Sequence, residues 1–233
     1  MRAASYSHGN HLTLLHRGAE FFPALIAACD AAQSEIYLET YIFAFDITGE
    51  QVKQALLRAA ARGVAVQVLV DWLGTGRERI AQLRREFGQA GMQFAAFNPW
   101  FRRGIARTHR KIVVVDRRIA FLGGLNINDD DISDDDSATP LPAPRWDFAV
   151  SIVGPLVDAV HAEAQRQWQR TRLRPLKTRI EILRDTVRAR QPLRAVRVEE
   201  AALVVRDNLR NRRAIQRSLL QALGHARESA LLV

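Results

Sequence analysis

His109, Lys111 and Asp116 lie in the stretch Thr108-His-Arg-Lys-Ile-Val-Val-Val-Asp116, and Gly123-Gly-Leu-Asn126 follows seven residues later. Lys111 to Val115 is a β-branched, apolar run after its first residue and reads as a buried strand. His109 and Lys111, two apart on such a strand, leave it on the same face. An imidazole beside an ammonium suits an anionic phosphoryl group: the first can attack phosphorus or shuttle a proton, the second neutralises oxygen charge. Asp116 closes the strand. The glycine pair would let backbone approach a ligand closely, where Asn126 could offer an amide donor.

The elements around this stretch alternate between strand and helix, the pattern of an α/β layer structure. Leu12 to Leu15 reads as a short strand, Gly18 to Gln33 as a helix with Phe21, Phe22, Leu25, Ile26 and Cys29 on its inner stripe, and Glu35 to Phe43 as the next strand. Thr48 is positioned to cap a helix running to about Arg62, with Gly63 ending it and Val64 to Val70 forming a central strand. Leu73-Gly-Thr-Gly76 lacks the spacing of a nucleotide-binding turn and reads as a plain loop. Ile80 to Gln89 is the next helix and Met92 to Phe97 the next strand; Asn98-Pro99 then breaks the chain. Trp146 to Val153 alternates as a strand, and Pro155 sits just inside a helix continuing to about Arg170. After an arginine-rich stretch with Pro175 and Pro192, strand, helix and strand recur at 197–205, 208–226 and 229–233.

With 233 residues and 48% hydrophobic content, the chain can bury one substantial core, or one core and part of another. A single cysteine, Cys29, rules out a disulfide framework and reads as a packed core thiol. No apolar window approaches the roughly 18 residues that span a bilayer, and no signal peptide is predicted at the N-terminus. The net charge of +9 resides in the second part, since residues 1–100 carry 9 Lys/Arg against 9 Asp/Glu and residues 101–233 carry 25 against 16. Such a field attracts anionic lipid headgroups and nucleic acid alike. The acidic tract Asp129-Asp-Asp-Ile-Ser-Asp-Asp-Asp136 lacks the glycine and final glutamate of a calcium loop and reads as a solvated loop. The remaining histidines show no zinc-ligand spacing, so no metal is expected.

The stretch from His109 through Asp116 to Asn126 resembles, without a gap, the H-x-K-x4-D-x6-G-[GS]-x-N signature of the phospholipase D superfamily. Gly9 to Leu15, Ile36 to Phe43, Ala60 to Asp71 and Trp146 to Pro155 narrow the resemblance to bacterial cardiolipin synthases of the B type, and nearly the whole chain is covered. The resemblance implies an α/β fold, a phospholipase D-like sandwich with a mixed central sheet flanked by helices. It divides the chain into a first half-domain at 1–172, a basic linker at 173–196 and the opening of a second half-domain at 197–233, expected to be truncated. In that family each half carries its own motif and the active site lies between them; this sequence holds the first motif only.

By the same resemblance the chain is a phosphatidyltransferase that makes cardiolipin through a covalent phosphatidyl-histidine, without a cofactor. Its partners are phosphatidylglycerol-like anionic phospholipids at the cytoplasmic face of the membrane, where it would act as a peripheral protein. His109 is assigned as nucleophile or general acid, Lys111, Gly124 and Asn126 as phosphate-binding, and Asp116 as structural or orienting. Asp147 matches the position of an acid that hydrogen-bonds the catalytic imidazole. Glu39, the lone acid in an apolar strand, is a further site candidate, with a buried salt bridge as its alternative. Two other readings stand: a phospholipase D or nuclease-type phosphodiesterase working as a homodimer, and an inactive lobe that binds anionic lipid. The Leu38-Glu-Thr-Tyr-Ile-Phe43 segment and the second-half opening favour the synthase, and lipid over nucleic acid.

Overall fold

A computed structural model describes residues 6–101, 106–133, 139–172, 201–205 and 213–228. In chain order the first elements are β1 (Tyr6–Ser7), β2 (His11–His16), α1 (Arg17–Ala31), β3 (Glu35–Thr40), α2 (Ile47–Ala61), β4 (Ala65–Asp71), α3 (Trp72–Thr75), α4 (Arg77–Gln89) and β5 (Gln93–Phe97). A short 3-10 turn at Pro99–Phe101 precedes β6 (Ile112–Val115), β7 (Ile119–Gly123), β8 (Phe148–Val153) and α5 (Leu156–Arg172); β9 (Ala201–Ala202) and α6 (Ala214–His225) follow. The chain has an α/β fold with a mixed seven-stranded sheet in the order β2-β8-β7-β6-β3-β4-β5, flanked by helices. β3, β4 and β5 are parallel and all other neighbours antiparallel.

Both faces of the sheet are covered, which is why its central strands are apolar throughout rather than alternating. On one face α1 presents Phe21, Phe22, Leu25 and Cys29, α2 presents Val52, Ala55, Leu56 and Ala59, and α4 presents Ile80, Leu83 and Phe87. On the other face α5 lays Leu156, Val157, Val160, Ala164 and Trp168 over Tyr37, Ile112, Val114 and Ile152. Burial pushes the Cys29 thiol up to about 12, in keeping with a packed core role.

The strand directions decide where function can sit. β3, β4, β5 and β7 end at one edge of the sheet, and the antiparallel β6 and β8 begin there. That edge therefore gathers the segments 41–47, 72–76, 98–101, 106–111, 124–133 and 139–147, together with Arg17 at the end of β2. Ligands of open α/β sheets bind outside the carboxyl ends of parallel strands.

Several elements differ from the sequence reading. β7 is an additional strand: its hairpin turn uses left-handed backbone at Asp116 (φ 51°) and Arg117 (φ 54°), without the Asn-Gly or Asp-Gly pair that ordinarily marks such turns. β3 ends at Thr40 instead of Phe43, because the Ile42 amide turns to the Asn126 side chain (3.2 Å) and the Phe43 amide to Thr75 Oγ1 (3.2 Å). Asp46, not Thr48, caps α2, its Oδ1 accepting from the Gly49 amide at 2.7 Å. Leu73-Gly-Thr is no plain loop: it lies in the helical turn α3, capped by Asp71 through the amides of Leu73 (2.9 Å) and Gly74 (3.2 Å).

The acidic tract is also not simply solvated where it is described. Asp130 accepts from the Gly18 amide at 2.5 Å, Asp129 donates its amide to Asp46 at 2.7 Å, and Arg145 donates to the Asp129 carbonyl at 2.6 Å. Of the second strand-helix-strand pattern, Ala201–Ala202 pairs antiparallel with Tyr6–Ser7, and Ala214–His225 is helical. The linker 173–196, residues 197–200 and 208–212, and the strand expected at 229–233 lie outside the described residues.

Candidate active site

His109 and Lys111 stand just before β6, on the functional edge of the sheet. Lys111 is buried, and its Nζ lies 3.1 Å from both ring nitrogens of the exposed His109. The Tyr41 ring packs on the imidazole with centroids 4.8 Å apart, and Lys111 Nζ is 5.6 Å from the centre of the same ring. Partial burial and the Lys111 ammonium hold the His109 pKa below its ordinary value, opposed by the charges of Asp71 and Asp147. The imidazole is thus biased toward its neutral, nucleophilic form.

The Gly-Gly-Leu-Asn segment reaches this pair through the backbone: the Gly123 amide donates to the Lys111 carbonyl at 3.4 Å. Asn126 Oδ1 accepts from the Ile42 amide, beside Tyr41, which fixes the carboxamide through its oxygen and leaves its NH2 group as a donor. The glycines serve a purpose other than the one expected. A Cβ on Gly124 would stand 2.1 Å from Asp147 Oδ1, and one on Gly123 would stand 2.4 Å from the Phe148 carbonyl. The Gly124 amide is already bonded to Phe148 at 2.9 Å, so Gly124 makes room for Asp147 and offers no donor to phosphate.

Asp147 is near enough to act on His109 by charge, while its Oδ1 accepts from the Phe148 amide at 2.7 Å. The hydrogen-bonding contact of the imidazole is Lys111, and no direct Asp147–His109 bond forms among the described residues. Asp116 lies at the opposite edge of the sheet, about 16 Å from Lys111 along the strand. Its carboxylate accepts from the amides of Gln33 (2.9 Å), Ser34 (2.8 Å) and Glu35 (3.0 Å) and from the Ser34 hydroxyl (2.7 Å). Those bonds lower its pKa to about 2. It clamps the start of β3 to the hairpin turn and touches no reacting group.

Glu39 is 1% exposed and faces away from the His109–Lys111 pair, on the α5 side of the sheet with Tyr37. It accepts from the Tyr37 hydroxyl (2.9 Å) and the Thr108 hydroxyl (2.5 Å), and it pairs with Arg110 (3.1 Å), which also pairs with Glu163 of α5 (2.9 Å). Burial raises the Glu39 pKa, opposed by Arg110. Glu39 thus forms the buried salt bridge of the alternative reading, and its contacts are with Tyr37, Thr108 and Arg110 rather than with His109 or Lys111. Thr108 and Arg110 bracket His109 in sequence, so this network grips the motif segment from both sides. Asp71 adds a third hold through the Thr108 amide at 2.8 Å.

Tyr41, Asp71, Thr108, Arg110 and Glu163 were not singled out from sequence as site residues. Thr108 and Arg110 carried a signal, since residues alternating with His109 and Lys111 must face the opposite side of the sheet and there need a polar partner.

A family model described as "Cardiolipin synthase, PLD-like domain" matches residues 25–138. Cardiolipin synthase B of Escherichia coli K12 is 34% identical over 244 residues, covering 98% of this chain and 54% of that protein. Cardiolipin synthase A of Pseudomonas entomophila is 36% identical over 163 residues, covering 68% of this chain and 33% of that protein. The chain spans about half the length of the curated relatives it matches. Among solved structures, a phospholipase D family member, Nuc from Salmonella typhimurium, superposes with a TM-score of 0.54 at 20% identity over 70% of this chain and 97% of its own. NucT from Helicobacter pylori gives 0.51 at 16% identity over 70% of this chain and 96% of its own, and both show a shared fold.

Proposed function

The chain belongs to the phospholipase D-like family, and we propose on that footing that it transfers phosphatidyl groups between anionic phospholipids to make cardiolipin. The observation that carries the reading is the His109–Lys111 pair, a neutral-biased imidazole with an ammonium 3.1 Å away. His109 attacks the phosphorus of a phosphatidylglycerol-like donor. The P–O bond to the headgroup alcohol breaks as the P–N bond forms, and the departing oxygen takes a proton from an acid of a second motif. The hydroxyl of an acceptor phospholipid gives its proton to that same second-motif group and attacks the phosphatidyl-histidine; the P–O bond forms as the P–N bond breaks, and the imidazole is restored.

Lys111 and the Asn126 amide are the donors for the nonbridging oxygens, whose negative charge grows as five bonds form about phosphorus. Tyr41 fixes the ring plane, and the Glu39–Arg110–Glu163 network fixes the segment that carries it. The second motif comes from a longer protein of the curated relatives' length or from a second copy of this chain. The test is conversion of phosphatidylglycerol in vesicles by the full-length protein, with lipid products separated and counted. Cardiolipin and glycerol are expected from the wild type, and neither from folded His109→Ala. Phosphatidic acid in place of cardiolipin would replace this reading with hydrolysis, and full activity in His109→Ala would end it.

A further inference from the structure

Tyr41 is the aromatic partner of the His109 ring, with centroids 4.8 Å apart and planes 51° apart, and the groups that hold Tyr41 lie in α3. A Cβ on Gly74 would stand 2.8 Å from both Cδ2 and Cε2 of the Tyr41 ring and would also meet the Tyr41 carbonyl. Gly74 does not take left-handed backbone, so it is space, not conformational freedom, that requires a glycine here. The backbone of α3 therefore lies directly against the ring that packs on the imidazole.

The neighbouring Thr75 is fully buried. Its hydroxyl donates to the Tyr41 carbonyl (3.2 Å) and accepts from the Phe43 amide (3.2 Å), which satisfies backbone groups just past the end of β3. A second connection from α3 runs through Asp71, which is 2% exposed: Oδ1 caps α3, and Oδ2 accepts from the amide of Thr108, one residue before His109. A four-residue helix has little stability of its own, because nucleating a turn fixes several dihedrals for one hydrogen bond. What holds α3 in place is its bonding to Asp71, Tyr41 and Phe43, the same contacts that lead to His109.

We propose that Gly74 and Thr75 are positioning residues for His109 that act through Tyr41. Gly74 makes room for the phenol ring, Thr75 fixes the backbone that carries it, and the ring in turn sets the plane of the imidazole. In-line attack needs a ring nitrogen lone pair aimed at phosphorus, and a misplacement of about 1 Å can cost on the order of a hundredfold in rate. This role rests on the reading of His109 as the nucleophile.

The test uses the full-length protein and two readouts: kcat and KM for phosphatidylglycerol in vesicles, and the His109 ring-proton resonances in isotope-labelled protein, assigned by their loss in His109→Ala. Folding of each variant is checked by circular dichroism and urea unfolding. Thr75→Val keeps the side-chain shape and removes the hydroxyl; it is expected to lower kcat about tenfold with KM changed less than about twofold, and Thr75→Ser to bring kcat within about threefold of wild type. Gly74→Ala is expected to lower kcat about tenfold to a hundredfold by itself, but less than about threefold when added to Tyr41→Ala, where no ring remains to be displaced. The His109 resonances should move in Thr75→Val and Gly74→Ala and stay in place in Thr75→Ser. Should Gly74→Ala fail to fold, the Thr75 pair decides. Wild-type kcat in Thr75→Val, an undiminished effect of Gly74→Ala in the Tyr41→Ala background, or unmoved resonances would overturn the proposal. The resonances report ring placement without turnover, so failure of this positioning is told apart from failure of His109 as nucleophile, which full activity in His109→Ala would reveal.

Discussion

Replacing Asp116 separates a structural role from a catalytic one. Its carboxylate accepts four hydrogen bonds, three of them from the consecutive amides of Gln33, Ser34 and Glu35, while its own backbone holds φ 51° in the β6–β7 turn. Asp116→Ala leaves three amides and a hydroxyl short of an acceptor at a partly exposed site and puts a left-handed alanine in the turn. Bonds to a charged acceptor contribute roughly 1.5–3 kcal/mol each when buried, and water recovers most of that here, so the expected loss is about 2–4 kcal/mol. Asp116→Asn keeps one acceptor oxygen and a side chain that tolerates left-handed backbone, so about 1 kcal/mol is expected. Urea unfolding followed by circular dichroism measures both. The sign of the pH dependence is fixed by the lowered pKa: the carboxylate stabilises the fold above 3.8 and loses that contribution as pH falls toward about 2. The shift corresponds to about 2 kcal/mol, or about 1 kcal/mol after solvent screening, and Asp116→Asn should abolish this part of the acid sensitivity. An alanine variant within about 0.5 kcal/mol of wild type would refute the clamp, as would one that unfolds normally yet has no activity.

If neutral His109 is the nucleophile, the acid limb of kcat/KM lies below the ordinary imidazole pKa of 6.5, with activity rising as the ring deprotonates. Lys111→Gln removes a charge that lowers that pKa, so a pH profile of the residual activity should show the limb moved upward. Glu39→Gln leaves Arg110 with Glu163 as its remaining carboxylate partner in a buried network, and about 2–3 kcal/mol of stability should be lost in urea titrations, with kcat falling more than KM changes. Gly124→Ala drives a methyl into Asp147; displacement of that carboxylate should move the His109 limb further down and cost about 1–3 kcal/mol, read by the same two assays.

The parts of the fold legible in sequence are those with strong local patterns. The α1 stripe of Phe21, Phe22, Leu25 and Cys29 and the β-branched run before Asp71 gave their elements within a few residues, as did the placement of His109 and Lys111 on one face. What stayed hidden depended on contacts far apart in the chain. β7 escaped because its turn is stabilised by Asp116 bonding to residues 33–35 and by Arg117 pairing with Glu35, not by turn residues of its own. The purpose of Gly124 was misread for the same reason: a glycine shows that something approaches closely, but that it is Asp147 appears only once β8 lies beside β7. Glu39 was recognisable as a buried acid in need of a partner; that its partner is Arg110, on the face opposite Lys111, follows from strand alternation combined with the packing of α5.

The proposed transfer turns on His109 becoming covalently bonded to phosphorus. The most direct measurement is intact-protein and peptide mass spectrometry of the full-length protein, quenched in base during turnover of phosphatidylglycerol. A phosphatidyl adduct mapped to His109 is expected, absent from His109→Ala and lost on acidification as a phosphoramidate is. Sustained turnover with no adduct on His109, or with the adduct on another residue of the chain, would contradict it.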